Sequence, residues 1–188
     1  IEVQISENKK ILNEFNSNFK ISLPKTSKKF TNHLLNNDGH VDFEGNLQNM
    51  SKYNFKKIKL FTNFEPEILL EKNHLFYFDN NGSIIKFDED SNLLWKKNHY
   101  SKFDKKLQPI LFFGSNQNDL FVIDSIANYY AINKNTGDLK WKKRHTSSFN
   151  SQVKIFEDKA LVIDMENSLR CISIKNGEIL WTIKTEES

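Results

Sequence analysis

The sequence predicts an all-β protein, a propeller of short four-stranded blades, and three observations predict it. The tryptophans Trp95, Trp141 and Trp181 are the only ones in 188 residues, and they fall 46 and 40 residues apart. Aligned on them, the residues before each fall into register: LFYFDNNGSIIKFDEDSNLLW (75–95), LFVIDSIANYYAINKNTGDLKW (120–141) and ALVIDMENSLRCISIKNGEILW (160–181). Finally, the stretches between turn residues run apolar or alternate over four to six residues, and none keeps the 3.6-residue period of a helix. A repeat of about 40–45 residues holding four strands has the size of one propeller blade.

Taken in order, residues 1–31 read as an N-terminal arm, with Ser6 capping a short helix from Glu7 to about Phe15 and a polar linker at Leu23–Lys29. Residues 32–67 read as a leading segment and a degenerate blade ending in the strand Phe55–Phe61. Residues 68–188 hold the three repeats. Each repeat opens on a strand (Ile68–Leu70, Ile110–Phe113, Val153–Phe156) and continues into a second strand that ends at an Asp: Asp79, Asp124 or Asp164. A third strand then runs to a turn opened by Asp88, Asn133 or Ser173. Asn92, Gly137 and Gly177 close those turns, being residue types that accept a left-handed backbone. The first repeat is one residue short in this second turn. The tryptophans read as wedge-filling side chains, because a blade cannot bury both of its faces alone.

Composition excludes several classes. The longest apolar runs are strand-sized, too short for a membrane-spanning helix. One cysteine, Cys171, rules out an internal disulfide or a multi-cysteine metal cluster, and its alternating strand makes it a small buried hydrophobe. Net charge is +3, and 25 of the 27 basic residues are Lys, so no nucleic-acid partner is indicated. Asp79–Ser83 opens like a calcium loop, yet Ile84 and Asp90 occupy the places that need Gly and Glu. Asp88–Asp90 reads as a turn. His33, His40, His74, His99 and His145 form no metal-ligating motif; His33, His40 and Asp42 would meet only if the leading segment folded back. Ser147 and Ser148 lack a nucleophile-elbow context, and no phosphate-binding glycine loop occurs. Lys96, Lys97, Lys142, Lys143 and Arg144 follow two repeat tryptophans and so recur on one rim. They form either a basic edge for a partner or charges that keep edge strands from pairing, with Tyr100 and Phe103 nearby.

Ala131–Trp141, AINKNTGDLKW, resembles the A-x-D-x-x-T-G-x-x-x-W signature of quinoprotein-type (PQQ-like) propeller repeats, with Asn133 in place of Asp. Cys171–Trp181 keeps its Gly and Trp. Lys9–Pro24 and Asn32–Leu47 resemble the segments that precede the propeller in the BamB family of outer-membrane assembly factors. That resemblance implies about three blades of an eight-bladed ring, and a periplasmic, non-catalytic scaffold subunit that binds no cofactor. Its implied partners are proteins, namely the barrel-assembly subunit and nascent outer-membrane proteins. Membrane contact is expected only through a lipid anchor absent from this chain; three blades plus a partial one cannot close a ring, so the chain is expected to be an excerpt of a longer protein. A fragment of a quinone-dependent periplasmic dehydrogenase, or a general propeller interaction module, are the alternatives.

Overall fold

A computed structural model describes residues 52–54, 68–71 and 73–185. In them the chain forms three antiparallel sheets, each of four strands in up-and-down order. The first blade comprises β1 (Leu69–Glu71), β2 (His74–Phe78), β3 (Ile84–Asp88) and β4 (Leu93–Lys97). The second comprises β5 (Leu111–Ser115), β6 (Asp119–Asp124), β7 (Asn128–Asn133) and β8 (Leu139–Arg144). The third comprises β9 (Lys154–Phe156), β10 (Lys159–Ile163), β11 (Ser168–Ser173) and β12 (Ile179–Lys184). Each sheet has the four up-and-down strands expected of a propeller blade. The expected arm helix, the linker, the strand at 55–61 and His33, His40 and Asp42 all lie outside the described residues.

Strand alternation explains how one sheet serves two neighbours. In β6, Leu120 and Val122 join a core with Phe76, Phe78 and Ile84 of the first blade. Phe121 and Ile123, pointing to the opposite face, join one with Ala160, Val162 and Ile172 of the third. The middle strands are therefore apolar on both faces, which is why they read as continuous runs. The outer strands β4, β8 and β12 cover nothing with their far edge and are largely exposed. On the outer face of the first blade, Leu75, Tyr77, Ile85 and Phe87 form a third cluster. Tyr53 packs on it, its ring edge-on to Phe87 at 5.6 Å and its hydroxyl donating to the Asp88 carbonyl at 3.1 Å.

Four local features differ from the sequence expectation. The opening strands begin one residue later than expected, at Leu69, Leu111 and Lys154. At Ile110 the reason is visible: its N–H donates to Ser125 Oγ and its carbonyl accepts from the Ser125 N–H, both at 3.0 Å, tying it to a loop instead of a ladder. In the shortened first turn the left-handed residue is Ser91, at φ 67°, and not Asn92. Asn92 stands where Asp138 stands in the second blade: each carbonyl accepts the N–H of the turn-opening residue, Asp88 or Asn133. A five-residue helix, α1 (Lys102–Lys106), links the first two blades; Ser101 caps it, its Oγ accepting the Asp104 N–H at 3.1 Å. Phe103 is 68% exposed, so this helix has no apolar face for a periodicity argument to find.

The fourth feature is a bulge repeated in every blade. The register of the third and fourth strands shifts between Lys86 and Phe87, Ala131 and Ile132, and Cys171 and Ile172. Leu94, Lys140 and Leu180 are the extra residues, each directly before a tryptophan. A bulge increases local twist and re-aims the next side chain. Here it sets the three indoles at one place in each blade.

Candidate functional site

The seams between blades are built from those indoles. A Cβ placed on Gly177 would lie 2.5 Å from the Trp141 ring, and one on Gly137 would lie 2.8 Å from the Trp95 ring. Both glycines are left-handed, at φ +69° and +74°, so backbone conformation and space both demand glycine. Each indole also meets a ring of its own blade: Trp95 lies 6.0 Å from Phe76, and Trp141 lies 6.0 Å from Phe121. Trp181 is 42% exposed, and among the described residues no glycine turn packs on it.

The two seams part company at the indole nitrogen. Trp141 Nε1 donates to the Ile174 carbonyl at 2.8 Å. The corresponding carbonyl in the first seam belongs to Lys134, and it accepts from Lys86 Nζ at 3.3 Å. Trp95 Nε1 is buried without a partner among the described residues. Lys86 pairs with Trp95 across the ladder, where the second blade has Ala131 and the third has Cys171.

The three repeat aspartates share one local structure. Asp79 Oδ1 accepts the N–H groups of Asn81 and Ser83, Asp124 Oδ1 those of Ile126 and Asn128, and Asp164 Oδ1 those of Glu166 and Ser168, all within 3.0 Å. These are Asx turns closing the hairpin between the second and third strands. The second oxygen distinguishes them. Asp79 Oδ2 pairs with Lys96 at 2.7 Å, and Asp164 Oδ2 takes both Arg170 Nε and the guanidinium NH2 at 2.6 Å. Asp124 Oδ2 instead accepts from Tyr100 OH at 2.6 Å and Asn128 Nδ2 at 2.9 Å, and Tyr130 OH donates in turn to Tyr100 OH at 3.3 Å. Burial pushes the Asp124 carboxyl above its ordinary value, outweighing those bonds. Burial acts upward on Asp79 and Asp164 as well. There the hydrogen bonds from Lys96 and from Arg170, with the backbone N–H groups, leave both carboxyls below the ordinary value. Burial also raises Tyr100 and Tyr130.

The basic rim is largely occupied inside the molecule. Lys96 holds Asp79, and Lys97 reaches Asp138 at 3.1 Å. Lys142 donates to the His99 carbonyl at 2.9 Å and lies 4.3 Å from the Tyr100 ring centroid. Lys143 donates to the Gly177 carbonyl at 3.1 Å. Arg144 ends β8 and is exposed. Tyr100, 6% exposed, is spent on the Asp124 network and offers no stacking surface, whereas Phe103 is exposed. On the outer strand of the third blade, Thr182 and Ile183 stand where the others carry lysine pairs.

The histidines in view serve local contacts. His99 Nε2 lies 3.0 Å from the Gly137 carbonyl, with burial lowering its pKa, and His145 Nδ1 accepts the Ser147 N–H at 3.1 Å. No group of three His, Cys, Asp or Glu able to hold a metal occurs among the described residues. Cys171 is 1% exposed, and burial raises its thiol pKa. Sequence reasoning missed the Asp124–Tyr100–Tyr130 network and the Lys86 substitution. The second was open to detection, since Lys86 breaks an apolar or small position shared by the other two repeats.

Blades of this type, docked by tryptophan on a glycine turn, define a propeller of quinoprotein-like repeats. Residues 80–188 match the family described as outer membrane protein assembly factor BamB, and the chain belongs to that family. No curated protein matches the sequence. Among solved structures, BamB from Moraxella catarrhalis is similar with a TM-score of 0.54 and 16% identity, over 64% of this chain and 35% of that one. A europium-containing methanol dehydrogenase is similar with a TM-score of 0.53 and 14% identity, over 64% of this chain and 24% of that one. The computationally designed Ika8 protein is similar with a TM-score of 0.54 and 14% identity, over 64% and 36%. At these identities the likeness shows the fold, and the chain spans 35% of the length of the Moraxella protein.

Proposed function

We propose that the protein is a non-catalytic propeller scaffold that assists the assembly of outer-membrane β-barrel proteins, acting in the periplasm at the outer membrane. The observation that carries this reading is the family match over residues 80–188. Its partners are then the barrel-assembly subunit and nascent outer-membrane proteins, with a lipid anchor outside residues 1–188 supplying membrane contact. Nascent barrel proteins are extended chains with unpaired backbone, and a sheet edge binds such chains by adding a strand. β12 is the best suited edge. Thr182 and Ile183 stand there in place of the paired lysines that guard β4 and β8. Of the rim cations, Arg144 is the one we assign to a partner, because Lys96, Lys97, Lys142 and Lys143 are engaged within the chain.

Photo-cross-linking tests the reading. A photoreactive residue at Leu180 should capture unfolded outer-membrane proteins or the assembly subunit, and one at Leu94 should capture much less. Equal capture at both would remove β12 as the edge, and absence of capture at these two and at every other rim position would remove the scaffold reading. The dehydrogenase alternative has the likeness to the europium-containing methanol dehydrogenase in its favour. Turnover of an alcohol with added quinone cofactor, metal and a dye acceptor would establish it instead.

A further inference from the structure

The seam between the first two blades forms a partly open cavity of about 120 Å³, walled by β1, β2 and β3 on one side and by the β5–β6 and β7–β8 turns on the other. That is room for several waters or one phosphate-sized ion. Two ammonium groups line it. Lys134 is answered by Glu71 at 2.7 Å, and the other Glu71 oxygen accepts from Ser115 Oγ at 3.1 Å, so this carboxylate is fully used. Lys86 has no carboxylate within ion-pair distance among the described residues. Its Nζ has one long bond to the Lys134 carbonyl, 3.3 Å, and sits 5.4 Å from the Phe76 ring centroid. The residue is 5% exposed.

A buried ammonium with a single carbonyl partner among the described residues is costly, and the other two blades do without it. The equivalent residues Ala131 and Cys171 are small, and at Ala131 the neighbouring indole makes its carbonyl bond. In the first seam that bond is lost and Trp95 Nε1 is left as a second unanswered donor. Burial and the nearby Lys134 charge lower the Lys86 pKa, outweighing the opposing influence of the Glu71 carboxylate. Among the described residues, Lys86, Lys134 and Glu71 leave the cavity one positive charge in excess.

We propose that this cavity binds a small oxyanion, a carboxylate or phosphate group, with Lys86 as its charge partner and the His74 ring and Gln117 amide, on the same walls, as hydrogen-bond donors. The site is independent of the scaffold reading and stands or falls without it.

Titration of the intact protein with inorganic phosphate and, separately, acetate tests the assignment by NMR, with sodium chloride at matched ionic strength as control. Saturable shifts of the Trp95 indole and His74 ring resonances are expected with one or both oxyanions, and the stronger of the two identifies the chemistry. Lys86→Ala copies Ala131, so this variant keeps the packing of a natural blade. It should weaken binding by roughly tenfold or more, a single charged contact being worth at least that factor. Lys143→Ala should bind as the native protein does. Chloride producing the same shifts, no saturation with either oxyanion, or undiminished binding by Lys86→Ala would each overturn the proposal.

Discussion

The two seams use one design and diverge at one residue. In the second, a small side chain beneath the indole lets Trp141 reach the Ile174 carbonyl at 2.8 Å. In the first, Lys86 takes the matching carbonyl, and the buried indole N–H of Trp95 has no partner among the described residues. The packed phenylalanine and the glycine turn are the same in both and only the residue across the ladder differs, so packing alone does not require the hydrogen bond. A departure from a repeat that leaves two polar groups poorly satisfied is the kind of site where function displaces stability.

The largest effect expected is from removing the indoles. Trp141→Ala and Trp95→Ala should each destabilise by about 2–4 kcal/mol, the lower part of the core range because both rings are half-buried. Trp141→Ala should be the worse by about 1 kcal/mol, since it also strands the Ile174 carbonyl. Denaturant unfolding of the two variants gives the difference, and equal losses would mean that the indole bond adds nothing. Next come the glycines. Gly177→Ala should cost about 1–3 kcal/mol through its positive φ and its contact with Trp141, and Gly137→Ala a similar amount. The Lys97 side chain, which a Gly137 Cβ would meet at 2.7 Å, can swing aside, so the Gly137 variant should be the milder.

How much of this could be read from the chain follows from the same contrast. The tryptophans, Gly137, Gly177 and the three Asx aspartates announce themselves because each is fixed by local geometry that repeats. Ser91 did not, because a one-residue deletion moved the left-handed position onto a residue type that gives no conformational signal. The bulges before each tryptophan were equally hidden, as Leu94, Lys140 and Leu180 differ in chemistry and only strand pairing reveals the extra residue. The Asp124 network was out of reach for another reason. Tyr100 comes from the linker between blades, 24 residues from Asp124 in sequence, and long-range polar pairs carry no periodicity.

The Asx aspartates carry the contrast into pH. The Asp79 and Asp164 carboxyls lie below the ordinary 3.8 in the folded protein, so their contribution is present above pH 3.8 and is lost as pH falls through the lowered values. Asp124 lies above 3.8. The folded state holds that proton more tightly than the unfolded chain, so the group's contribution is greatest below 3.8 and declines as pH rises through the raised value. Stability measured against pH for Asp124→Asn should therefore lack a decline that the native protein has, and Asp164→Asn should lack an acid-side loss. Carboxyl carbon NMR titration assigns the direction for each residue; Asp124 titrating below the other two would reverse the assignment.

The smallest effect belongs to the rim. Lys97 and Asp138 meet at 3.1 Å across the first seam with their side chains 44% and 65% exposed. An exposed pair of this kind contributes about 0–1 kcal/mol and fades with salt. Arg170 and Asp164 meet at 2.6 Å with side chains 12% and 0% exposed, so the guanidinium there compensates a carboxylate that has left water. Lys97→Met should change stability by under about 1 kcal/mol, and Arg170→Met by roughly 3 kcal/mol through the carboxylate it strands. Repeating both measurements at high salt sharpens the distinction, because only the exposed pair should lose its contribution. If Arg170→Met proved as mild as Lys97→Met, the Asx turn of the third blade would be held by its backbone bonds alone, and the shared turn geometry would owe nothing to the charge beside it.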